Sequence, residues 1–157
     1  MKKGTIIFLQ TVIALIGISA LTFMLWEPHL EGRNVNATLF EIYFKDPFLA
    51  YAYLSSIAFF VVLYQAFRVL GYVEQNNIFS QAAVKALRTI KYSATTLSIL
   101  IVMAGLYIRI FHAKDDDPAG FLAICILTTF ISVAIAALAR LFENRLQNTL
   151  KGSQRIA

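Results

Sequence analysis

The stretch that decides the fold is "NIFSQAAVKALRTIKYSATT", residues 77–96, at the centre of a largely apolar chain. Ser80 suits a helix N-cap because its side-chain oxygen can accept a hydrogen bond from a free amide of the first turn. No glycine or proline follows before Tyr92. The stretch therefore predicts a helix that begins near Gln81 outside a membrane and enters the membrane near Tyr92.

This predicted helix is amphipathic. At 3.6 residues per turn, one face carries small and apolar side chains, and the opposite face carries Lys85, Arg88 and Lys91. We expect the first face to pack inside the protein. Its members are Ala83, Ala86, Leu87, Ile90 and Ala94.

The composition around this stretch is that of a membrane protein. Of 157 residues, 59% are hydrophobic and 15% are charged, against roughly 45–50% and about 25% in soluble domains. Four uncharged runs approach or exceed the roughly 20 residues that cross a bilayer core. We therefore predict an all-α, integral membrane four-helix bundle, a single domain over residues 1–157 made of two helical hairpins. The expected spans are residues 5–26, 48–67, 92–111 and 119–139, and we expect the first to be retained rather than cleaved as a signal peptide.

The basic residues predict the orientation. Ten of the fourteen Lys and Arg residues lie in the N-terminal segment, the central connection 68–91 and the C-terminal tail. Four spans place these segments on one side, and short cytoplasmic segments are enriched in Lys and Arg. We expect both termini in the cytoplasm. Topology thus explains the net charge of +5, and because no nucleic-acid-reading motif accompanies that charge we expect no nucleic-acid partner.

The basic face is a candidate docking site. Lys85, Arg88 and Lys91 would lie beside the membrane on the cytoplasmic side. Each could gain roughly 1 kcal/mol from anionic lipid, or the three could bind a membrane or cytoplasmic protein partner. In both cases we expect them to face outward and to make no contact inside the protein.

The centre of the chain also resembles a known family. The segment "LYQAFRVLGYVEQNNIFSQAAVKALRTIKYSA", residues 63–94, is similar to the core of the small bacterial membrane proteins called domain of unknown function 2975. The outer "KDDDPAG", residues 114–120, is similar to the acidic third loop of that family. The resemblance implies four spans in the bacterial cytoplasmic membrane. It also implies a regulatory or stress-linked role, since genes of the family often accompany a helix-turn-helix regulator. The family has no established catalytic residues, so the resemblance assigns none to this chain.

No catalytic, phosphate-binding or redox motif occurs in the sequence, so we expect a non-enzymatic protein without a cofactor. It would act on lipid or other proteins in a regulatory or protective role. The alternative is a small transporter or channel, which would require a homo-oligomer. Gln10 and Gln65 are the largest polar side chains in the uncharged runs. They could join helices by hydrogen bonds or line a polar path.

The loops on the side of the membrane opposite the basic segments offer one candidate metal site. Imidazole and carboxylate groups are a reasonable ligand set for zinc or another divalent ion. However, their spacing here matches no recognised motif, so ordinary loop residues and helix caps are the alternative. The candidate ligands are His29, His112, Asp115, Asp116 and Asp117.

Overall fold

The computed structural model describes residues 3–30, 47–111 and 119–156, with side chains except at 27–30, 47 and 154–156. Four helices fill most of these ranges: α1 Lys3–Leu30, α2 Pro47–Glu74, α3 Gln81–Phe111 and α4 Ala119–Ile156. No strand occurs in the described ranges. All four helices are long and apolar enough to cross a membrane. The predicted all-α, four-span class is therefore confirmed.

Two of the helices are longer than a bilayer requires. α3 has 31 residues and α4 has 38, so at 1.5 Å per residue they extend about 46 Å and about 57 Å, against a hydrocarbon core of roughly 30 Å. The uncharged parts are residues 92–108 of α3 and 119–139 of α4. The remaining parts at the charged end, residues 81–91 and 140–153, form an antiparallel pair that we call the base.

The turn before the base is fixed by backbone hydrogen bonds. The amide of Asn77 donates to the carbonyl of Tyr72 at 2.8 Å, and that of Asn76 donates to Val73 at 3.2 Å. This pattern is a Schellman motif, in which the residue after the helix takes a left-handed conformation. Asn76 has φ of 53°, and asparagine tolerates that region better than most residues. The turn therefore ends α2 abruptly and directs the chain back into α3.

The N-cap predicted at the start of α3 is confirmed. The Ser80 hydroxyl oxygen accepts a hydrogen bond from the Ala83 amide at 3.2 Å, and the Ser80 carbonyl accepts one from Val84. The predicted packing face is also confirmed, because Ala83, Ala86, Leu87, Ile90 and Ala94 are all buried.

α1 and α2 pack antiparallel through widely spaced polar contacts. Lys3 of α1 lies 3.6 Å from Glu74. About two turns further along α1, Gln10 Nε2 donates to the Phe67 carbonyl. About four turns beyond Gln10, the Tyr53 hydroxyl donates to the Met24 carbonyl. The partner numbers on α2 fall as those on α1 rise, so the first hairpin is antiparallel.

The principal core lies where α2, α3 and α4 meet near the base. α2 contributes Val62, which packs with the apolar face of α3 and the inward side of α4. By contrast, large apolar side chains along the spans, such as Phe8, Leu54 and Phe130, are mostly exposed, as expected for surfaces that face lipid. The buried members of the core are Val62, Val84, Leu87, Ile90, Ala94, Ala139 and Leu146.

Candidate functional site

A buried carboxylate joins the two helices of the base. Only 4% of the Glu143 side chain is exposed. Its Oε1 atom accepts a hydrogen bond from Arg88 Nε at 2.8 Å, and its Oε2 atom accepts one from Lys91 Nζ at 2.6 Å. Gln147 Nε2 donates to Oε1 at 3.2 Å from the next turn of α4. Both carboxylate oxygens are therefore bonded, as a buried charge requires.

Helix periodicity explains why these groups meet. Arg88 and Lys91 are three residues apart on α3, and Glu143 and Gln147 are four apart on α4, so each pair shares one helix face. Leu146, on the same side of α4, is buried in the core. The core packing therefore places the two faces opposite each other, and Glu143 lies at the edge of that contact.

The electrostatics favour a charged Glu143. This residue lies four positions beyond Ala139, which ends the uncharged run of α4, and so lies outside the apolar span. Burial alone would raise the pKa of its carboxyl group, but hydrogen bonds from Lys91 and Arg88 and the attraction of their charges outweigh that effect. The pKa of Glu143 consequently lies below its usual value, and the group is ionised at neutral pH.

Two clefts open on the surface beside this ion cluster, and both are lined by Gln81 and Arg88. One, of about 280 Å³, also includes Gln147, Leu150 and Lys151. The other, of about 400 Å³, runs along α3 to Tyr92 and includes Lys85. We call the two together the basic clefts, because their charged lining groups are all cations.

Two of these cations form no ion pair with another residue that the structure describes. Within the part of the chain that the structure describes, the side chains of Lys85 and Lys151 form no ion pair or hydrogen bond, and both residues are exposed. The Arg88 side chain is 51% exposed. Its Nε binds Glu143, so its remaining N–H groups are available to a ligand. The basic clefts can therefore bind an anionic group.

The structure corrects one expectation for the basic face of α3. The prediction that Lys85, Arg88 and Lys91 make no contact inside the protein is wrong for two of them, because Arg88 and Lys91 pair with Glu143. The reason is that α4 continues as a helix past Arg140 and packs against this face. Docking of lipid or protein on the exposed groups stays a prediction.

Sequence reasoning missed Glu143, although a signal was present. It is the one acidic residue after Arg140. It also falls on the inward face of α4, with Ala139, Leu146 and Leu150 at helical spacing. A lone carboxylate on an apolar helix face, followed by basic residues, indicates an interior ion pair rather than a solvated tail.

The two intramembrane glutamines have different environments. Gln10 Nε2 donates to the Phe67 carbonyl at 3.4 Å and so contributes to the α1–α2 contact. The Oε1 atom of Gln65 is buried and has no hydrogen-bond partner among the described residues. One glutamine thus joins helices, and the other presents an unsatisfied acceptor.

The candidate metal ligands lie outside the described residues. His112, Asp115, Asp116 and Asp117 belong to the undescribed segment, and the side chain of His29 is not described. Within the described ranges, no group of three or more His, Cys, Asp or Glu side chains is placed to hold a metal ion. The metal site stays a prediction.

Comparison with known proteins gives two matches. The family described as "Protein of unknown function (DUF2975)" matches residues 35–152. The chain is also 35% identical over 152 residues to "Uncharacterized membrane protein YoaS" of Bacillus subtilis (strain 168), across 96% of this chain and 94% of that protein. No solved structure matches the chain. The family match includes α2, α3 and nearly all of the base.

Proposed function

This chain belongs to the DUF2975 family of proteins of unknown function and is a multi-pass membrane protein, and on that premise we propose that it acts without catalysis, by docking an anionic partner at its base. The base lies in the cytoplasm of a bacterium, and the role is regulatory or protective. The observation that supports the proposal is that two exposed cations, Lys85 and Lys151, form no ion pair with any described residue and lie on a surface held in place by the buried Glu143.

The distance of the basic clefts from the hydrocarbon core indicates the kind of partner. Lys85 lies seven residues before Tyr92, about 10 Å along the helix axis from the start of the uncharged run. Lys151 lies twelve residues beyond Ala139, about 18 Å from the end of that run. Headgroups occupy roughly 5–8 Å on each side of the hydrocarbon. Lipid headgroups can therefore reach the Tyr92 end, whereas the Lys151 end favours an acidic segment of a cytoplasmic protein.

The pairing with Glu143 supports docking because it reduces the entropy that binding would cost. Arg88 and Lys91 are held by hydrogen bonds to a buried group on a second helix. A long side chain that is already ordered loses less rotamer freedom when a ligand binds. The base is thus preorganised around Arg88, with an exposed lysine on each side.

A transporter or channel is the second candidate, and the unpartnered Oε1 of Gln65 supports it. A buried amide oxygen without a donor is costly, and a water molecule or a polar substrate would satisfy it. Gln10 binds a helix carbonyl instead, so two glutamines do not form one polar path. Docking therefore remains the first proposal.

Purification from native membranes in mild detergent tests the proposal. We compare the wild type with Lys85→Gln/Lys151→Gln for proteins and anionic lipids that co-purify in stoichiometric amounts. Arg140→Gln/Arg145→Gln is the matched control, because it removes the same charge from the same end of the molecule but lines neither basic cleft. We expect at least one protein or anionic lipid to co-purify with the wild type and with the control, but not with Lys85→Gln/Lys151→Gln, which we call the cleft variant.

Equal recovery from both variants would contradict docking at the clefts. Substrate uptake by wild-type proteoliposomes that Gln65→Leu abolishes, with no component lost from the cleft variant, would favour the transporter instead.

A further inference from the structure

A second feature lies at the other end of α3 and α4, inside the apolar spans. The two helices approach closely at Gly105 and Cys125, which are both buried. A Cβ atom added to Gly105 would lie 3.5 Å from Cys125 Cβ. Beside this close contact, a groove of about 360 Å³ lies between the helices. We call it the α3–α4 groove.

The walls of the α3–α4 groove are apolar, and one end carries a cation. Val102 and Leu106 of α3 face Ile126 and Phe130 of α4 across it, and all four are substantially exposed. Arg109 also lines the groove and is the first residue after the uncharged run of α3. The groove therefore begins in the hydrocarbon and ends where lipid phosphates lie.

We propose that the α3–α4 groove binds one phospholipid, with an acyl chain between the walls and the phosphate on Arg109. The apolar walls match the chain. The guanidinium matches the phosphate, to which it can donate two parallel hydrogen bonds. The cation at the headgroup end fixes the orientation of the lipid in the groove.

A second copy of this chain fits the groove less well. In a twofold-symmetric contact, the same surface of both copies would meet, and that contact would place two Arg109 cations near each other. Like charges repel, whereas a phosphate supplies the opposite charge.

The proposal is independent of docking at the base, because the groove and the basic clefts share no lining residue.

The test of lipid binding in the α3–α4 groove uses the full-length protein in mild detergent. The protein is equilibrated with dioleoyl phosphatidylglycerol or with dioleoylglycerol, which has the same chains and no phosphate. Native mass spectrometry counts the lipids retained per monomer. The variants are Arg109→Gln and Leu106→Trp, which adds bulk to an exposed wall, and Arg140→Gln is the control cation.

We expect the wild type and Arg140→Gln to retain one phosphatidylglycerol, at least about tenfold more strongly than dioleoylglycerol, since hydrogen bonds to charged groups are strong. Arg109→Gln should lose that preference, and Leu106→Trp should lose the lipid. The proposal would be overturned if the wild type retained the two lipids equally. It would also be overturned if Arg109→Gln and Arg140→Gln lost phosphatidylglycerol to the same extent. A wild-type dimer that Leu106→Trp dissociates would assign the groove to a second copy.

Discussion

At the scale of single residues, Glu143 determines the chemistry of the base. Removing one partner of a buried ion pair leaves the other charge without compensation, and that usually costs more than the pair contributes. Here the two cations differ in exposure, since the Arg88 side chain is 51% exposed and that of Lys91 only 22%. Arg88 can therefore regain water more easily than Lys91 when the pair is broken.

Substitution of Lys91 should destabilise the protein more than substitution of a neighbouring lysine. Lys91→Met leaves one oxygen of the buried Glu143 without its cation, and we expect the free energy of unfolding in detergent to fall by about 1–3 kcal/mol. Lys85→Met removes an exposed cation that has no ion-pair partner among the described residues, and it should change this free energy by less than about 0.5 kcal/mol. Thermal or denaturant unfolding of both variants measures the difference, and equal stabilities would contradict the structural role of Lys91.

The stabilising effect of Glu143 should persist to acidic pH. Because its pKa in the folded protein is lowered, the contribution is present above the unfolded pKa of about 4.3 and is lost as pH falls through the folded pKa. We expect the stability difference between wild type and Glu143→Gln to be constant from about pH 8 to about pH 5. A difference that already disappeared between about pH 7 and about pH 6 would show that this pKa is raised instead.

At the scale of elements, α3 is the helix that contacts both α2 and α4. Its first turns pack against α4, its middle contacts α2 through a hydrogen bond from the Tyr51 hydroxyl to the Leu100 carbonyl at 2.7 Å, and its last turns line the α3–α4 groove. The Schellman motif and Ser80 fix where it begins. The caps therefore fix the start of α3, and the buried core sets its register against both neighbours.

Loss of the Ser80 cap should loosen the start of α3 selectively. Ser80→Ala removes the acceptor of the Ala83 amide and should cost about 1 kcal/mol. Hydrogen exchange should become faster in the first turn of α3, while the groove end of the same helix is unchanged. Ser153→Ala, at an exposed position on α4, is the control. Uniform acceleration along α3 in both variants would contradict a local cap.

The period of the apolar residues predicts the helices correctly, because side chains that recur at helical spacing lie on one face and become buried together. The five apolar positions of the predicted packing face recur at helical spacing, and all five are buried: Ala83, Ala86, Leu87, Ile90 and Ala94. Charge was harder to interpret, because a cation on a helix face has the same sequence pattern whether it faces water or a carboxylate on another helix. Arg88 and Lys91 were assigned to the surface for that reason. Their partner on α4 is more than fifty residues away in the sequence.

At the scale of the whole molecule, the core is concentrated at one end. The spans present exposed apolar surfaces, whereas the buried cluster and the ion pairs lie near or within the base. A protein built this way has a well-packed base from which to present charge and a lipid-facing body that anchors it. The α3–α4 groove was not foreseen from sequence, because it depends on how closely Gly105 and Cys125 approach.

The distribution of basic residues predicts that the base is cytoplasmic. In a Cys125→Ser background, a cysteine at Asn77 should resist an impermeant thiol reagent applied to intact cells and react only after lysis. A cysteine at Asn36 should react in intact cells. Labelling of Asn77 but not Asn36 in intact cells would reverse the orientation.

The central claim is that the basic clefts bind a partner in the cell, and the most direct measurement is site-specific photocrosslinking in living cells. A photoreactive amino acid replaces Lys85 or Lys151 in the clefts, or Asn144 as an exposed control position on α4 that lines neither cleft. We predict a discrete crosslinked product from both cleft positions and none from the control. The absence of a product at both cleft positions, or the same product from all three, would contradict docking at the base.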